Sequence, residues 1–248
     1  MFELRPRLPV REEERLWVDE GFRRLGRMVG WSRLQNARVI LPTDEYFPDP
    51  WNGTQTALTL LFRRVCGYMQ VDPERVDLEI IPDSSGLLEL LPAYSHKSSG
   101  PAGLHFGGNE DERPLVAISQ SQLKDPMTAV ATLAHELGHV ILLGGKHISR
   151  DAEDMEPLTD LVTVFLGLGL FTANSARRFL KFQDDRKEGW SVQRLGYLPE
   201  VVYGYALAVF AKERGEVKPA WTAHLSTNLK AYFKQSMEWL RKQSAPIS

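Results

Sequence analysis

Two histidines four residues apart, with a glutamate directly after the first, are the residues of this chain best suited to chemistry. The sequence there reads His135-Glu136-Leu137-Gly138-His139. On a helix, positions i and i+4 lie on the same face, so both imidazole rings can reach one metal ion. Glu136 lies about 100° further round the helix, where its carboxylate can meet a water molecule without ligating the metal. The spacing predicts half of a zinc site, with Glu136 as a general base.

The flanking residues predict the helix that this geometry requires. Asp125 is placed to cap the helix, and Pro126 to occupy its first position, where a missing N–H is not needed. Gly144 and Gly145 predict a left-handed stop. Apolar residues at helical spacing predict a core-facing stripe of Val130, Leu133, Leu137, Val140 and Ile141. The two histidines follow another face, so we expect them to look into a cleft away from the main core.

A catalytic zinc site needs one more protein ligand, because such sites use three and leave the fourth position to water. One variant of the motif has a further histidine ten residues after the first, but Gly145 occupies that position. His147 misses it by two residues, and we interpret it as a surface residue. An acidic stretch follows, in which Glu156 and Asp160 form a Glu-x-x-x-Asp pair. The missing ligand is therefore expected to be a carboxylate.

This order of motifs resembles the gluzincin class of zinc metallopeptidases, and within that class the ImmA/IrrE-like peptidases. The likeness covers about residues 100–170, whereas residues 1–95 and 172–248 match no family. The segment after the helix also lacks the Glu-Ala-Asn sequence typical of that family. The resemblance implies a set of roles: His135, His139 and Glu156 as zinc ligands, Glu136 as general base and Asp160 as the residue that orients the first histidine.

The choice of carboxylate leaves alternatives. Pro157 disfavours helical geometry for Glu156, so this glutamate is expected to begin the next helix instead of lying inside it. Asp160, one turn further on, is the rival ligand, and Glu153 is a more distant third. A donor that stabilises the oxyanion of the reaction is also expected, and its candidates are Tyr197, Tyr203, Tyr205, His105 and His224.

The rest of the chain predicts an α+β fold, with a small mixed sheet in the N-terminal half and a mostly helical C-terminal half. Helices are predicted at 15–29, 54–69, 157–171, 174–181, 199–214 and 219–243, and strands at 38–41, 76–81, 87–91 and 115–119. Residues 1–114 would form an N-terminal α/β region and residues 115–248 the region with the motif, together one compact catalytic unit. A peptide substrate could pair with an open edge of strand 115–119, although an ordinary core strand is equally compatible with the sequence.

Composition limits the classes of function. The 248 residues carry 30 basic and 32 acidic side chains, a net charge of −2, which offers no electrostatic footprint for nucleic acid. The longest apolar runs are about half of what a bilayer requires, and the charged N-terminus lacks the apolar core of a signal peptide. A single cysteine, Cys66, agrees with a reducing compartment and is expected to be buried. We therefore expect a cytoplasmic protein.

These observations predict a zinc-dependent metallopeptidase that hydrolyses peptide bonds of a specific intracellular protein. One alternative is a zinc-dependent hydrolase of a non-peptide amide, which a narrow, closed pocket would favour. Another is a non-catalytic, zinc-bearing interaction module. Glu136 argues against that module, because a purely structural site needs no base and usually closes with a fourth protein ligand.

Overall fold

The computed structural model describes residues 7–82, 113–149, 152–181 and 198–243. Its α-helices are α1 (Glu12–Leu25), α2 (Trp31–Asn36), α3 (Gln55–Met69), α4 (Pro126–Gly144), α5 (Met155–Phe165), α6 (Gly169–Lys181), α7 (Glu200–Glu213) and α8 (Thr227–Gln243). The strands are β1 (Asp77–Ile81) and β2 (Leu115–Ser119). The predicted α+β class is confirmed, with a small sheet in the N-terminal half and helices after it.

The chain forms two compact units that interleave along the sequence. The helical unit comprises Met1–Leu41, Asp160–Glu188 and Tyr197–Ser248, and the sheet unit comprises Pro42–Thr159 and Gly189–Gly196. Helix α5 begins in the sheet unit and continues in the helical unit. The division predicted at residue 115 stays a prediction.

In the sheet unit, β1 and β2 pair in parallel, with Asp77 opposite Leu115 and Ile81 opposite Ser119. Helix α4 packs against both α3 and β2. The last four residues of β2 are buried, which favours the interpretation of this segment as a core strand. Cys66 is buried on α3 as predicted, and burial raises the pKa of its thiol to about 12. The predicted strand 87–91 lies outside the described residues.

The predicted start of α4 is confirmed, but its end differs from the prediction. The Asp125 side chain accepts a hydrogen bond from Met127 N at 3.1 Å, and Pro126 occupies the first turn. Gly145 has φ −76°, and Lys146 instead takes the left-handed conformation at φ 52°. A Cβ on Gly145 would lie 2.3 Å from the ring of His147, so this glycine provides space for that ring.

In the helical unit, α7 packs against α1, α6 and α8. Aromatic side chains fill much of the core between these helices. Phe22 and Trp31 both pack on Phe165, with ring centroids 5.9 and 6.0 Å apart, and Trp221 packs on Phe233 at 5.3 Å. Helix α1 starts at Glu12, before the predicted residue 15, and a π-helical turn, Gly26–Gly30, continues it.

One contact accounts for two wrong predictions in this unit. The helix predicted over 157–171 is broken after Phe165, because Gly167 adopts φ 88°. A Cβ at Gly167 would lie 2.1 Å from Arg38 O, so the chain at residue 38 passes directly over this glycine. The strand predicted at 38–41 is extended chain that forms no ladder, and Ile40 N donates to Gly167 O at 2.9 Å.

The helix predicted over 219–243 is also divided. A 3₁₀ segment, Ala220–His224, precedes α8, and the Ser226 hydroxyl accepts from Leu229 N at 3.4 Å. Ser226 N donates to Asn174 Oδ1 at 2.9 Å, which holds the backbone between the two segments. The break therefore depends on a contact between residues far apart in the sequence.

Candidate metal centre

Helix α4 presents His135 and His139 one turn apart, as their spacing predicts. The two rings meet edge to face, with centroids 4.8 Å apart and planes at 84°. Their Nε2 atoms lie 3.2 Å from each other. The helix is buried on all sides along Ala129–His139, so the histidines are 2% and 1% exposed. The expected cleft-facing stripe is wrong in that respect: these rings lie inside the sheet unit.

Glu156, in the first turn of α5, supplies a carboxylate to the same point. Its Oε2 lies 3.1 Å from His135 Nε2 and 3.4 Å from His139 Nε2. Glu156 follows the first residue of the helix, in agreement with the restriction that Pro157 imposes. Burial raises the pKa of the Glu156 carboxyl, but the two histidines outweigh burial and lower that pKa to about 2. The side chain keeps 25% of its surface exposed.

The three ligand atoms have the spacing of a tetrahedral metal site. Atoms about 2.0–2.1 Å from a tetrahedral zinc ion lie about 3.3 Å from one another. The observed separations, 3.1, 3.2 and 3.4 Å, match this value closely. Among the described residues, His135, His139 and Glu156 form the group able to hold a metal ion, and Asp160 is not part of it. Two imidazole nitrogens and one carboxylate oxygen are donors that fit zinc.

Glu136 lies beside this group with one oxygen unsatisfied. Its side chain is buried, and within the described part of the chain Oε1 has no hydrogen-bond partner. Burial raises the pKa of the carboxyl, against the opposing effects of His139 and His135. A buried carboxylate oxygen normally has a partner, so an unsatisfied one next to three ligand atoms fits a group that receives a proton from a bound water molecule.

Sequence reasoning missed Thr159, which contacts the second histidine. Its Oγ1 lies 3.2 Å from His139 Nδ1 and 2.8 Å from Met155 O. The signal in the sequence is weak: Thr159 follows Glu156 by three residues and therefore shares its side of α5. Gln122 was also missed, and its amide joins Ser119 N, at 2.8 Å, to Thr132 Oγ1, at 2.9 Å. This bond ties the end of β2 to α4 one turn before His135.

The rival carboxylates occupy other places. Asp160 is buried in the helical unit, where its Oδ2 accepts from Leu198 N at 2.8 Å. Glu153 is exposed. His147 is exposed as well, in agreement with its interpretation as a surface residue. Glu156 is thus the carboxylate that meets the histidines, and the orienting role of Asp160 stays a prediction.

The candidates for an oxyanion donor stay open. Tyr203 and Tyr205 are buried on α7, and the Tyr205 hydroxyl donates to Asp19 Oδ1 at 2.8 Å. Burial is the main cause that raises the Tyr205 pKa. His224 is exposed. Tyr197 and His105 lie outside the described residues.

Comparison with known proteins found no match among family models, curated protein sequences or solved structures. One described helix, α4, is long and apolar enough to cross a membrane by length and composition. However, 67% of the window concerned is buried inside the protein, as expected for a core helix. The cytoplasmic location stays a prediction.

Proposed function

We propose that this protein is a zinc-dependent metallopeptidase that cleaves peptide bonds of a specific intracellular protein. The observation that carries the proposal is the meeting of His135 Nε2, His139 Nε2 and Glu156 Oε2 at 3.1–3.4 Å from one another. Glu136, whose Oε1 has no described partner, completes the group. The resemblance to gluzincin peptidases rests on the same residues. A structural zinc site would need neither the open fourth position nor the unsatisfied carboxylate.

His135, His139 and Glu156 would hold the zinc ion. When bound, zinc supplies a Lewis acid that activates a water molecule and polarises the carbonyl of the scissile bond. Glu136 Oε1 accepts the proton of the attacking water, because its raised pKa makes this carboxylate a better base than an exposed glutamate. The same oxygen then returns the proton to the nitrogen of the leaving amine. Burial of the two histidines excludes bulk water from the group and strengthens these interactions.

The proposal predicts separate effects on metal binding and on hydrolysis when Glu136 is changed. Glu136→Gln should retain about one zinc ion per chain, because the three ligands are unchanged. Hydrolysis should fall by about 10²–10⁴-fold, since the amide cannot accept the proton. Metal content is measured by elemental analysis. The substrate is identified by trapping: the Glu136→Gln protein is recovered from its host cell, and the peptides cut by the wild-type protein are sequenced.

Glu153→Gln is the matched control, because it makes the same chemical change at an exposed glutamate before α5. This variant should keep both metal and hydrolysis. Equal hydrolysis by wild-type and Glu136→Gln proteins would overturn the mechanism. Absence of stoichiometric zinc in the wild-type protein would overturn the metal site.

Burial of the group supports a second candidate, hydrolysis of a small, non-peptide amide. The side chains of His135, Glu136 and His139 are almost fully covered, and only that of Glu156 keeps a quarter of its surface exposed. Restricted access favours a small substrate over an extended polypeptide. The two candidates separate in one assay of trapped protein substrates against a panel of acylated amides. Cleavage of the amides alone would favour this second candidate.

A further inference from the structure

We infer that Thr159 is a positioning residue that fixes the tautomer and ring direction of His139, an inference that rests on the metal site proposed above. Thr159 belongs to the sheet unit together with His139 and Met155. Its side chain is fully buried, and His139 is 1% exposed. No bulk water competes for these hydrogen bonds, so the partner of each polar atom is set by the protein.

The direction of the hydrogen bonds follows from the proton count. A threonine hydroxyl has one proton to donate, whereas a backbone carbonyl can only accept. Thr159 Oγ1 lies 2.8 Å from Met155 O, a normal distance for an O–H···O bond. The hydroxyl proton therefore goes to Met155 O. The contact of 3.2 Å between Thr159 Oγ1 and His139 Nδ1 must then be donated by the imidazole N–H.

The opposite arrangement would place two acceptors against each other. If the hydroxyl donated to His139 Nδ1, its lone pairs would face Met155 O at 2.8 Å without a proton between them. Threonine in a helix commonly donates to the carbonyl four residues earlier, and Met155 is that residue. Thr159 therefore holds its hydroxyl in place before any ligand binds.

The consequence concerns the other nitrogen of the ring. A neutral imidazole protonated at Nδ1 has a lone pair on Nε2, and a metal ligand must offer that lone pair. His139 Nε2 points at the meeting point of the group, 3.2 Å from His135 Nε2. Thr159 thus prepares His139 as a ligand, in the way that an acceptor behind a metal-bound histidine usually does.

Three variants test this role. Thr159→Val has nearly the same shape and lacks the hydroxyl, whereas Thr159→Ser keeps the hydroxyl. Thr163→Val, on the same helix, is the matched control, because Thr163 is also fully buried and its hydroxyl donates to Asp160 O at 2.7 Å. The probes are zinc, with affinity measured by competition against a chelating dye, and cobalt(II), whose visible absorption reports the ligand geometry.

We expect Thr159→Val to weaken zinc binding by about 10–100-fold and to change the cobalt spectrum. Thr159→Ser and Thr163→Val should both stay close to the wild-type affinity and spectrum. Wild-type affinity and spectrum in Thr159→Val would overturn the inference. Equal losses in Thr159→Val and Thr163→Val would overturn it too, because they would report a general effect of removing a buried hydroxyl.

A measurement on the metal-free protein separates this inference from the proposed function. Long-range ¹⁵N–¹H spectra of the histidine rings, with His139 assigned by its loss in His139→Asn, report the tautomer directly. We expect the Nδ1–H tautomer in the wild-type protein and a mixture in Thr159→Val. An Nε2–H tautomer in the wild-type protein overturns the inference even if zinc binds. Failure of zinc to bind, with the Nδ1–H tautomer present, overturns the proposed function alone.

Discussion

The polar atoms of the candidate site differ in how the protein satisfies them. His139 Nδ1 has Thr159 as a partner, whereas His135 Nε2, His139 Nε2 and Glu156 Oε2 have mainly one another. Glu136 Oε1 has no partner within the described residues. Buried polar groups are normally satisfied, so a cluster of ligand atoms turned toward one point identifies where an ion and a water molecule would fit. The atoms that face away from that point have fixed partners.

Asp160 carries a prediction at the same scale. Asp160→Ala should lower the stability of the metal-free protein by about 1–3 kcal/mol, because it leaves the buried Leu198 N–H without its acceptor. Asp160→Asn keeps an acceptor oxygen and should be affected less. Urea unfolding in the presence of a chelator gives both values. Equal destabilisation by the two substitutions would contradict this account of the bond to Leu198.

At the scale of elements, α4 and the start of α5 position the site through their local sequence. Asp125 and Pro126 set where α4 begins, and Pro157 places Glu156 at the beginning of α5. The Gln122 side chain ties β2 to α4 through Thr132. Further along, α5 ends because Gly167 takes a left-handed conformation under the backbone of Arg38.

Gly167→Ala should destabilise the protein by at least about 3 kcal/mol, because left-handed strain of about 1–3 kcal/mol adds to overlap with the Arg38 backbone. Gly67→Ala is the control. Gly67 is exposed on α3, and a Cβ there meets nothing within 4 Å, so alanine should stabilise the helix by about 0.5–1 kcal/mol. Chemical unfolding of both variants measures the difference. A neutral Gly167→Ala would show that the contact with Arg38 is not retained in solution.

At the scale of the molecule, all three ligand atoms belong to the sheet unit, although their residues lie on two helices. An ion held by both α4 and the first turn of α5 links segments that the unfolded chain does not hold together. Binding to the folded state alone stabilises a protein by mass action. The candidate site should therefore contribute to stability as well as to chemistry.

Free zinc at about 1,000 times its dissociation constant should stabilise the protein by about 4 kcal/mol. The midpoint of thermal unfolding should rise on adding zinc and fall again on adding a chelator. In Glu156→Ala the rise should disappear, because two histidines alone do not complete the site. The same rise in this variant would show that zinc binds elsewhere.

Much of the site could be predicted because its information is local. The i, i+4 histidines, the cap at Asp125 and the effect of Pro157 on Glu156 all act over a few residues. The wrong predictions involve residues far apart in the chain. The helix predicted over 157–171 and the strand at 38–41 fail together, because Arg38 crosses Gly167. The expectation of a cleft-facing stripe on α4 failed because packing on every side of the helix overrides its amphipathic pattern.

The sequence by itself determined that two imidazoles and a neighbouring carboxylate share one turn of a helix, because helical geometry depends only on spacing and on local caps. Only the tertiary structure decided which acidic residue meets the histidines and which hydroxyl supports them. Glu156 follows His135 by twenty-one residues and Thr159 follows His139 by twenty, and a change of helix lies between them. The packing of α5 against α4, and not the spacing along the chain, brings these atoms within hydrogen-bonding distance.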